Sequence, residues 1–238
     1  MIQFHNIHKK FGARLVLENI ELTIEGGDFV SLIGHSGAGK TTLINLLIGA
    51  EKPDIGTIFV DDYDVAEMDS TTLQEYRQRL GVVYQDFRLL PRKTVYENVA
   101  FVLEVCGKSD DEIAERVPEA LEMVGLLDHS RLFPHQLSGG ELQKTSLARA
   151  IAHNPPLIIA DEPTGNLDPA SAREIIDILR KIHAQKKTIL LASHNQELVN
   201  YIRQRVVMMN QGRIVCDEKE SKYDVKLLRK FSEQIVVS

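Results

Sequence analysis

The chain has 238 residues, 43% of them hydrophobic and 26% charged, and its 28 Lys and Arg against 34 Asp and Glu give a formal net charge of −6. These proportions suit one globular unit with a small insert, and the acidic balance argues against broad binding to nucleic acid or anionic lipid. No apolar run approaches the ~18 residues of a membrane span. The polar opening MIQFHNIHKKFG lacks the apolar stretch of a secretory leader, so a cytoplasmic address is expected. Two cysteines, Cys106 and Cys216, are too few and too far apart for a disulfide framework or a metal knuckle.

Two strand-like runs open the chain, Ile2–Ile7 and Leu15–Ile24, the second alternating in part as an edge strand does, and Gly26–Gly27 marks a turn after them. A third run, Phe29–Ile33, meets the Gly-rich stretch Gly34 to Gly39 and passes into the helix-compatible segment Lys40–Ile48. Strands follow at Thr57–Val60 and Gly81–Tyr84, with a polar helix around Ser70–Arg79 between them. From Thr94 to Asn154 the pattern turns helical, with Ile113, Val117, Leu121 and Val124 at helical spacing behind the acidic start Asp110–Glu112; this predicts an inserted helical subdomain. Strand Leu157–Ala160, helix Ser171–Ala184 and strands Thr188–Ala192 and Val206–Asn210 then imply a parallel sheet covered on both faces. From about Glu218 a charged tail carrying Leu227, Leu228, Phe231 and Ile235 suits a short amphipathic helix.

Three motifs carry chemistry. Gly34-His35-Ser36-Gly37-Ala38-Gly39-Lys40-Thr41 fits G-x-x-x-x-G-K-[ST], in which glycines let backbone N–H groups wrap a phosphate, Lys40 reaches the terminal phosphates and Thr41 holds Mg²⁺. The apolar strand before Asp161 and Glu162 ends in two carboxylates whose side chains point to opposite sides, one suited to the metal side and the other to polarising an attacking water. Taken alone, that ending is as often a strand with a solvated turn. Leu137-Ser138-Gly139-Gly140-Glu141-Leu142-Gln143 opens a helix with Ser138 as its cap, making a second anion site independent of the first.

LSGGELQ resembles the signature motif of the ATP-binding-cassette ATPases, and the phosphate loop, the ADE acids and His194 in SHN stand in that family's order over residues 1–218. The resemblance implies an α/β fold: a P-loop NTPase (RecA-like) core with an N-terminal antiparallel β-subdomain and an inserted α-helical signature subdomain. The expected organisation is one nucleotide-binding domain over 1–238, with 1–85 and 156–218 as β-subdomain and core, 86–155 as helical subdomain and 219–238 as tail. It further implies ATP with Mg²⁺. The nucleotide falls to Phe11 as an adenine platform, to Gly34, His35, Ser36, Gly37, Ala38, Gly39, Lys40, Thr41 and Thr42, and to Ser138, Gly139, Gly140 and Asp168 across a dimer. The metal falls to Thr41, Gln85 and Asp161, and catalysis to Glu162, His194, Lys40 and Gln85. Phe11 stands where the family often has Tyr, and Leu142 where it often has Gln.

In that family two chains pair head to tail on binding ATP, and one signature beside one phosphate loop per chain fits such pairing. The segment QDFRLLPRKTVYENV mixes apolar anchors and charges as a groove for a membrane partner's helix would, near Gln85–Val99. It resembles the cell-division branch of the family. That branch implies an integral membrane partner, an indirect link to the division machinery, no nucleic acid, and a place at the cytoplasmic face of the bacterial inner membrane. The alternative within the family is an ATPase of lipoprotein release, macrolide export or amino-acid import. The short stretch between Lys40 and Ser138 has no heptad run, which argues against the coiled-coil chromosome and DNA-repair ATPases. No acceptor pocket is visible to favour a P-loop phosphotransferase.

Overall fold

The computed structural model describes residues 1–219; the tail beyond, with the amphipathic helix expected there, lies outside the described residues. In chain order the elements are strands β1 (Ile2–Phe11), β2 (Arg14–Ile24) and β3 (Phe29–Ile33), helix α1 (Lys40–Leu47), β4 (Ile55–Val60), β5 (Tyr63–Asp64), α2 (Ser70–Arg77) and β6 (Leu80–Tyr84). Helices α3 (Val95–Val105), α4 (Asp110–Met123) and α5 (Gly139–Ile151) follow, then β7 (Leu157–Asp161), α6 (Pro169–His183), β8 (Thr188–Ser193), α7 (Gln196–Ile202), β9 (Arg205–Asn210) and β10 (Arg213–Glu218).

Six strands form one sheet in the order β10-β9-β3-β8-β7-β6, parallel except for β10. The other sheet, β2-β1-β4-β5, is antiparallel with β2 at its edge. Strands β3, β7 and β8 are buried at every position, as strands covered on both faces must be. Their alternation survives in the packing. Ile158, Ala160, Ile189 and Leu191 join the helical side with Val99, Leu121, Leu147 and Ile175, whereas Ile159, Leu190 and Ala192 join Leu43, Ile44, Phe4 and Leu17. Helix α1 is thus held between the two sheets, and the phosphate loop that leads into it cannot shift without disturbing both.

Sequence and structure differ at element ends. β1 continues past Ile7 through the polar run His8–Lys10 because it is interior to its sheet, paired with β2 on one side and β4 on the other, with register shifts that its polar positions accommodate. The Thr94–Asn154 segment divides into α3, α4 and α5, and each starts with a reciprocal capping box: Thr94 with Glu97, Ser109 with Glu112, and Ser138 with Glu141. β5, α7 and β10 escaped the sequence reading because they are short or half-exposed; α7 is announced only by its cap, Asn195, which accepts from the Leu198 amide. Among the described residues no helix is long and apolar enough to cross a membrane.

Candidate functional site

Strand β3 delivers the chain to Gly34, where an added Cβ would lie 2.5 Å from the Met209 carbonyl oxygen; at Gly39, φ is 105° and a Cβ would meet Leu17 at 2.6 Å. Both glycines are therefore demanded by close approach, and the loop is drawn tight over the start of α1. That helix begins without a side-chain cap, so its first N–H groups are left to the loop's interior. Lys40 is 6% exposed, and its Nζ donates to the Gly34 carbonyl at 2.7 Å and the His35 carbonyl at 3.4 Å. The ammonium is pinned by its own loop beneath the path of the phosphates.

Ser36 to Thr42 share one cleft of about 500 Å³ with Phe11, Gln85, Glu162 and His194. Phe11 is exposed at its mouth, with the Lys9 ammonium 5.2 Å from its ring centroid. Gly34 and His35 do not line the cleft: Gly34 serves through its carbonyl, and His35 faces a small crevice beside Asn195. Asp161 lies below the floor, 9% exposed, and accepts from the Thr41 hydroxyl at 3.3 Å. Burial, followed by the adjoining Glu162 carboxylate, pushes the Asp161 carboxyl above its usual range. The Thr41 hydroxyl, the Asp161 carboxylate and the Gln85 amide oxygen are a hard-oxygen set that fits Mg²⁺ and not a softer metal.

β7 ends at Asp161 because Glu162 turns into the left-handed region at φ 50°, a conformation uncommon for a residue that carries a side chain. The turn directs its two oxygens apart. Oε1 lies 3.3 Å from Lys40 Nζ, and Oε2 receives His194 Nδ1 at 2.8 Å and the His194 amide at 3.3 Å. Gln85 is braced from the far side: its Nε2 donates to Asn166 Oδ1 at 3.4 Å and its carbonyl accepts from Asn166 Nδ2 at 3.4 Å.

Ser138, Gly139, Gly140 and Asp168 do not line this cleft. The Ser138 hydroxyl and amide both donate to Glu141 at 2.7 Å, and these bonds hold the Glu141 carboxyl below its ordinary value. Gly140 packs where a Cβ would come 2.9 Å from Ser171 Oγ, and that hydroxyl donates to Asp168 Oδ2 at 2.5 Å. Asp168 caps α6, accepting from the Ala170 and Ser171 amides, so the starts of α5 and α6 meet at one corner.

Sequence reasoning missed Arg14 and Val16, which line the cleft, and Asn166. It also missed the residues that hold the segment after Gln85. Asn98 is fully buried; its amide donates to the carbonyls of Leu90, Lys93 and Thr94, and its Oδ1 accepts from the Leu90 amide at 2.7 Å. Arg149 donates to the carbonyls of Phe87 at 2.9 Å and Arg88 at 2.6 Å. Asn98 did leave a trace, an amide set within the apolar stripe Val95, Val99, Leu103 of α3. Arg149 left none.

A phosphate loop between a central parallel strand and a helix, with an acid-ended strand two places along the sheet, defines a P-loop nucleoside-triphosphatase. A family model described as ABC transporter matches residues 17–165, and the chain belongs to that family as an ATP-hydrolysing, nucleotide-binding subunit. It is 45% identical to the cell division ATP-binding protein FtsE of Mycobacterium tuberculosis over 94% of this chain and 98% of that one. It is 40% identical to the methionine import ATP-binding protein MetN of Clostridium acetobutylicum over 89% of this chain and 67% of that one. A dimeric post-hydrolysis state of the ATP-binding cassette MJ0796, bound to ADP and Pi, superposes with a TM-score of 0.84 at 33% identity, covering 94% of this chain and all of that one.

Proposed function

We propose that two copies of this chain close head to tail on ATP, each placing Ser138 to Gly140 and Asp168 against the nucleotide held in its partner's phosphate loop. The observation that carries this reading is that the signature corner lies outside the cleft that holds Lys40, Glu162 and His194. Phe11 offers its ring to the adenine, the loop amides of Ser36 to Thr42 hold the β-phosphate, and Lys40 meets the γ-phosphate. Mg²⁺, when bound by Thr41, Gln85 and Asp161, supplies charge neutralisation at the phosphate oxygens.

Glu162 is placed to accept the proton of the attacking water, and His194 Nδ1, fixed on Glu162, leaves the other face of the imidazole toward the γ-phosphate. Closure is a two-state change, because the contacts of Ser138 and Gly140 to the γ-phosphate exist only in the dimer and hydrolysis removes them.

The membrane partner docks near Gln85–Val99 and is FtsX-like, so that ATP-driven closure regulates cell-wall hydrolysis at the division site. The complex sits at the cytoplasmic face of the inner membrane. Support comes from the QDFRLLPRKTVYENV segment and from the high identity to the cell division protein. The MetN likeness favours a second reading, an ATPase of amino-acid import.

The test is Glu162→Gln with ATP, which should form a dimer by light scattering. The trapped complex is then used to isolate its membrane partner from the native host. A four-span protein with a large extracytoplasmic domain supports the division role. A lipoprotein-release, macrolide-export or amino-acid permease overturns that role and leaves the ATPase mechanism standing. The lack of any ATP-dependent dimer would sink the mechanism itself.

A further inference from the structure

Another cavity lies at the end of the parallel sheet opposite the phosphate cleft. It measures about 480 Å³ and is walled by Ile2, Ile24, Val60, Tyr76, Leu80 and Leu157, each no more than 7% exposed. Small-molecule sites typically hold about 300–1,000 Å³, so the space suits a ligand. Its place in the sheet gives it a route to the chemistry. Leu80, Leu157 and Thr188 are the first residues of β6, β7 and β8, and Gly26 and Gly27 form the turn that feeds β3. The far ends of these four strands lead into Gln85, Asp161 with Glu162, His194 and the phosphate loop. A five-residue strand such as β7 covers that distance in about 16 Å. Tyr76 adds a fifth link, because its hydroxyl donates at 2.6 Å to the carbonyl of Leu47, the last residue of α1.

The lining also limits what can enter. Its hydroxyls are engaged inward, Tyr76 with α1 and Thr188 Oγ1 with the Gly27 amide at 2.9 Å. His183 Nε2 donates to the Gly27 carbonyl at 2.8 Å. Asp61 accepts from Arg79 at 3.1 Å and from the Met1 amine at 2.6 Å, and the exposed Glu25 and Lys186 at the mouth are of opposite sign. An anion would meet Glu25, Asp61 and the carbonyl ends of α2 and α6, whereas a cation would meet Arg79 and Lys186. A neutral, mostly apolar molecule leaves those pairs undisturbed and buries its surface against the apolar walls.

We propose that this cavity binds a neutral, largely apolar small molecule of one or two rings, and that its occupation is coupled to nucleotide binding at the other end of the strands. An occupant braces the starts of β3, β6, β7 and β8 against Tyr76, so part of the ordering that a nucleotide demands of their far ends is already met. The two affinities then rise together by one shared factor.

The experiment titrates indole, which is neutral, into the full chain beside indole-3-acetate and tryptamine, which carry a negative and a positive charge on the same ring system. Methyl NMR gives the location: resonances of Ile2, Ile24, Leu80 and Leu157 should shift, and those of Ile113 and Leu121 in the helical subdomain should not. A dissociation constant of about a millimolar or below is expected for a molecule of about nine heavy atoms, with each charged analogue weaker by about tenfold or more. At saturating indole the Kd for ADP should fall by about two- to fivefold, with the same indole midpoint as the methyl shifts. Displacement of indole by ADP would put it on the adenine platform and overturn the site, as would an absence of shifts at the four wall residues. A charged analogue that binds as well as indole overturns the ligand class. Indole binding at the wall with ADP affinity unchanged overturns the coupling.

Discussion

Lys40 Nζ and Glu162 Oε1 lie 3.3 Å apart, and the second oxygen of that carboxylate is bound to His194. One carboxylate therefore joins the phosphate-loop cation to the histidine across the cleft. A terminal phosphate arriving at Lys40 competes with Glu162 for the ammonium and is repelled by its charge. Replacing Glu162 with Gln removes both effects while keeping the shape. ATP affinity should hold or tighten by up to about tenfold while hydrolysis falls by about a hundredfold or more, the contribution expected of a general base. Fluorescent-nucleotide titration alongside phosphate release reads both, and weaker binding in the variant would refute the competition.

The pinning of Lys40 by the Gly34 and His35 carbonyls means that its charge is in place before any phosphate arrives. Lys40→Met keeps the stem and loses the ammonium. Charge-assisted hydrogen bonds contribute about 1.5–3 kcal/mol, so the dissociation constant for ATP should rise by about 10–100-fold. Calorimetric titration checks this, and unchanged affinity would remove Lys40 from the phosphate site.

His194→Ala leaves Glu162 Oε2 without its ring partner. The expected effect lies on the chemical step, a kcat lower by about a hundredfold with KM changed little. Steady-state kinetics decide it: a rise in KM at constant kcat would make His194 a ground-state binding residue instead.

The chemistry was legible in the sequence where residues act through the local chain. The phosphate loop, the acid-ended strand and the capped signature each declare themselves within eight residues or fewer, because glycine backbone, helix caps and strand ends are local devices. What escaped was contact across the fold. Arg149 looks like any arginine of an exposed helix face until α5 is laid on the loop after β6, and Asn166 reaches Gln85 only through the pairing of β6 with β7. The polar run His8–Lys10 hid a strand because β1 is ordered by neighbours on both sides and not by its own alternation.

Asn98 illustrates how expensive such a hidden contact is to lose. Its side chain answers four backbone groups of residues 90–94 from a fully buried position. Asn98→Ala leaves the Leu90 amide and the Lys93 carbonyl without a partner, while the Leu90 and Thr94 carbonyls keep the Lys93 and Asn98 amides, and it opens a cavity, so unfolding free energy should drop by about 2–4 kcal/mol. Urea denaturation measures it. A loss well below that range would mean that water replaces the amide, and that the loop keeps its form without it.

The stability of the chain should also depend on pH through His153. Its Nε2 meets the Leu80 carbonyl at 3.1 Å, while Nδ1 is buried without a hydrogen-bond partner among the described residues. Burial, with a smaller push from Lys187, lowers the imidazole below its ordinary 6.5, so the folded chain holds it neutral with Nε2 as donor. The unfolded chain, titrating near 6.5, binds a proton first as the solution is acidified. The stabilisation is therefore complete above about pH 6.5 and is lost as pH falls from there toward the lower folded value. His153→Gln keeps a donor for the Leu80 carbonyl and does not titrate. Between pH 7.5 and 5.5 the melting temperature of the parent chain should fall by more than that of the variant. Equal falls would place the acid sensitivity on other groups and leave His153 as packing alone.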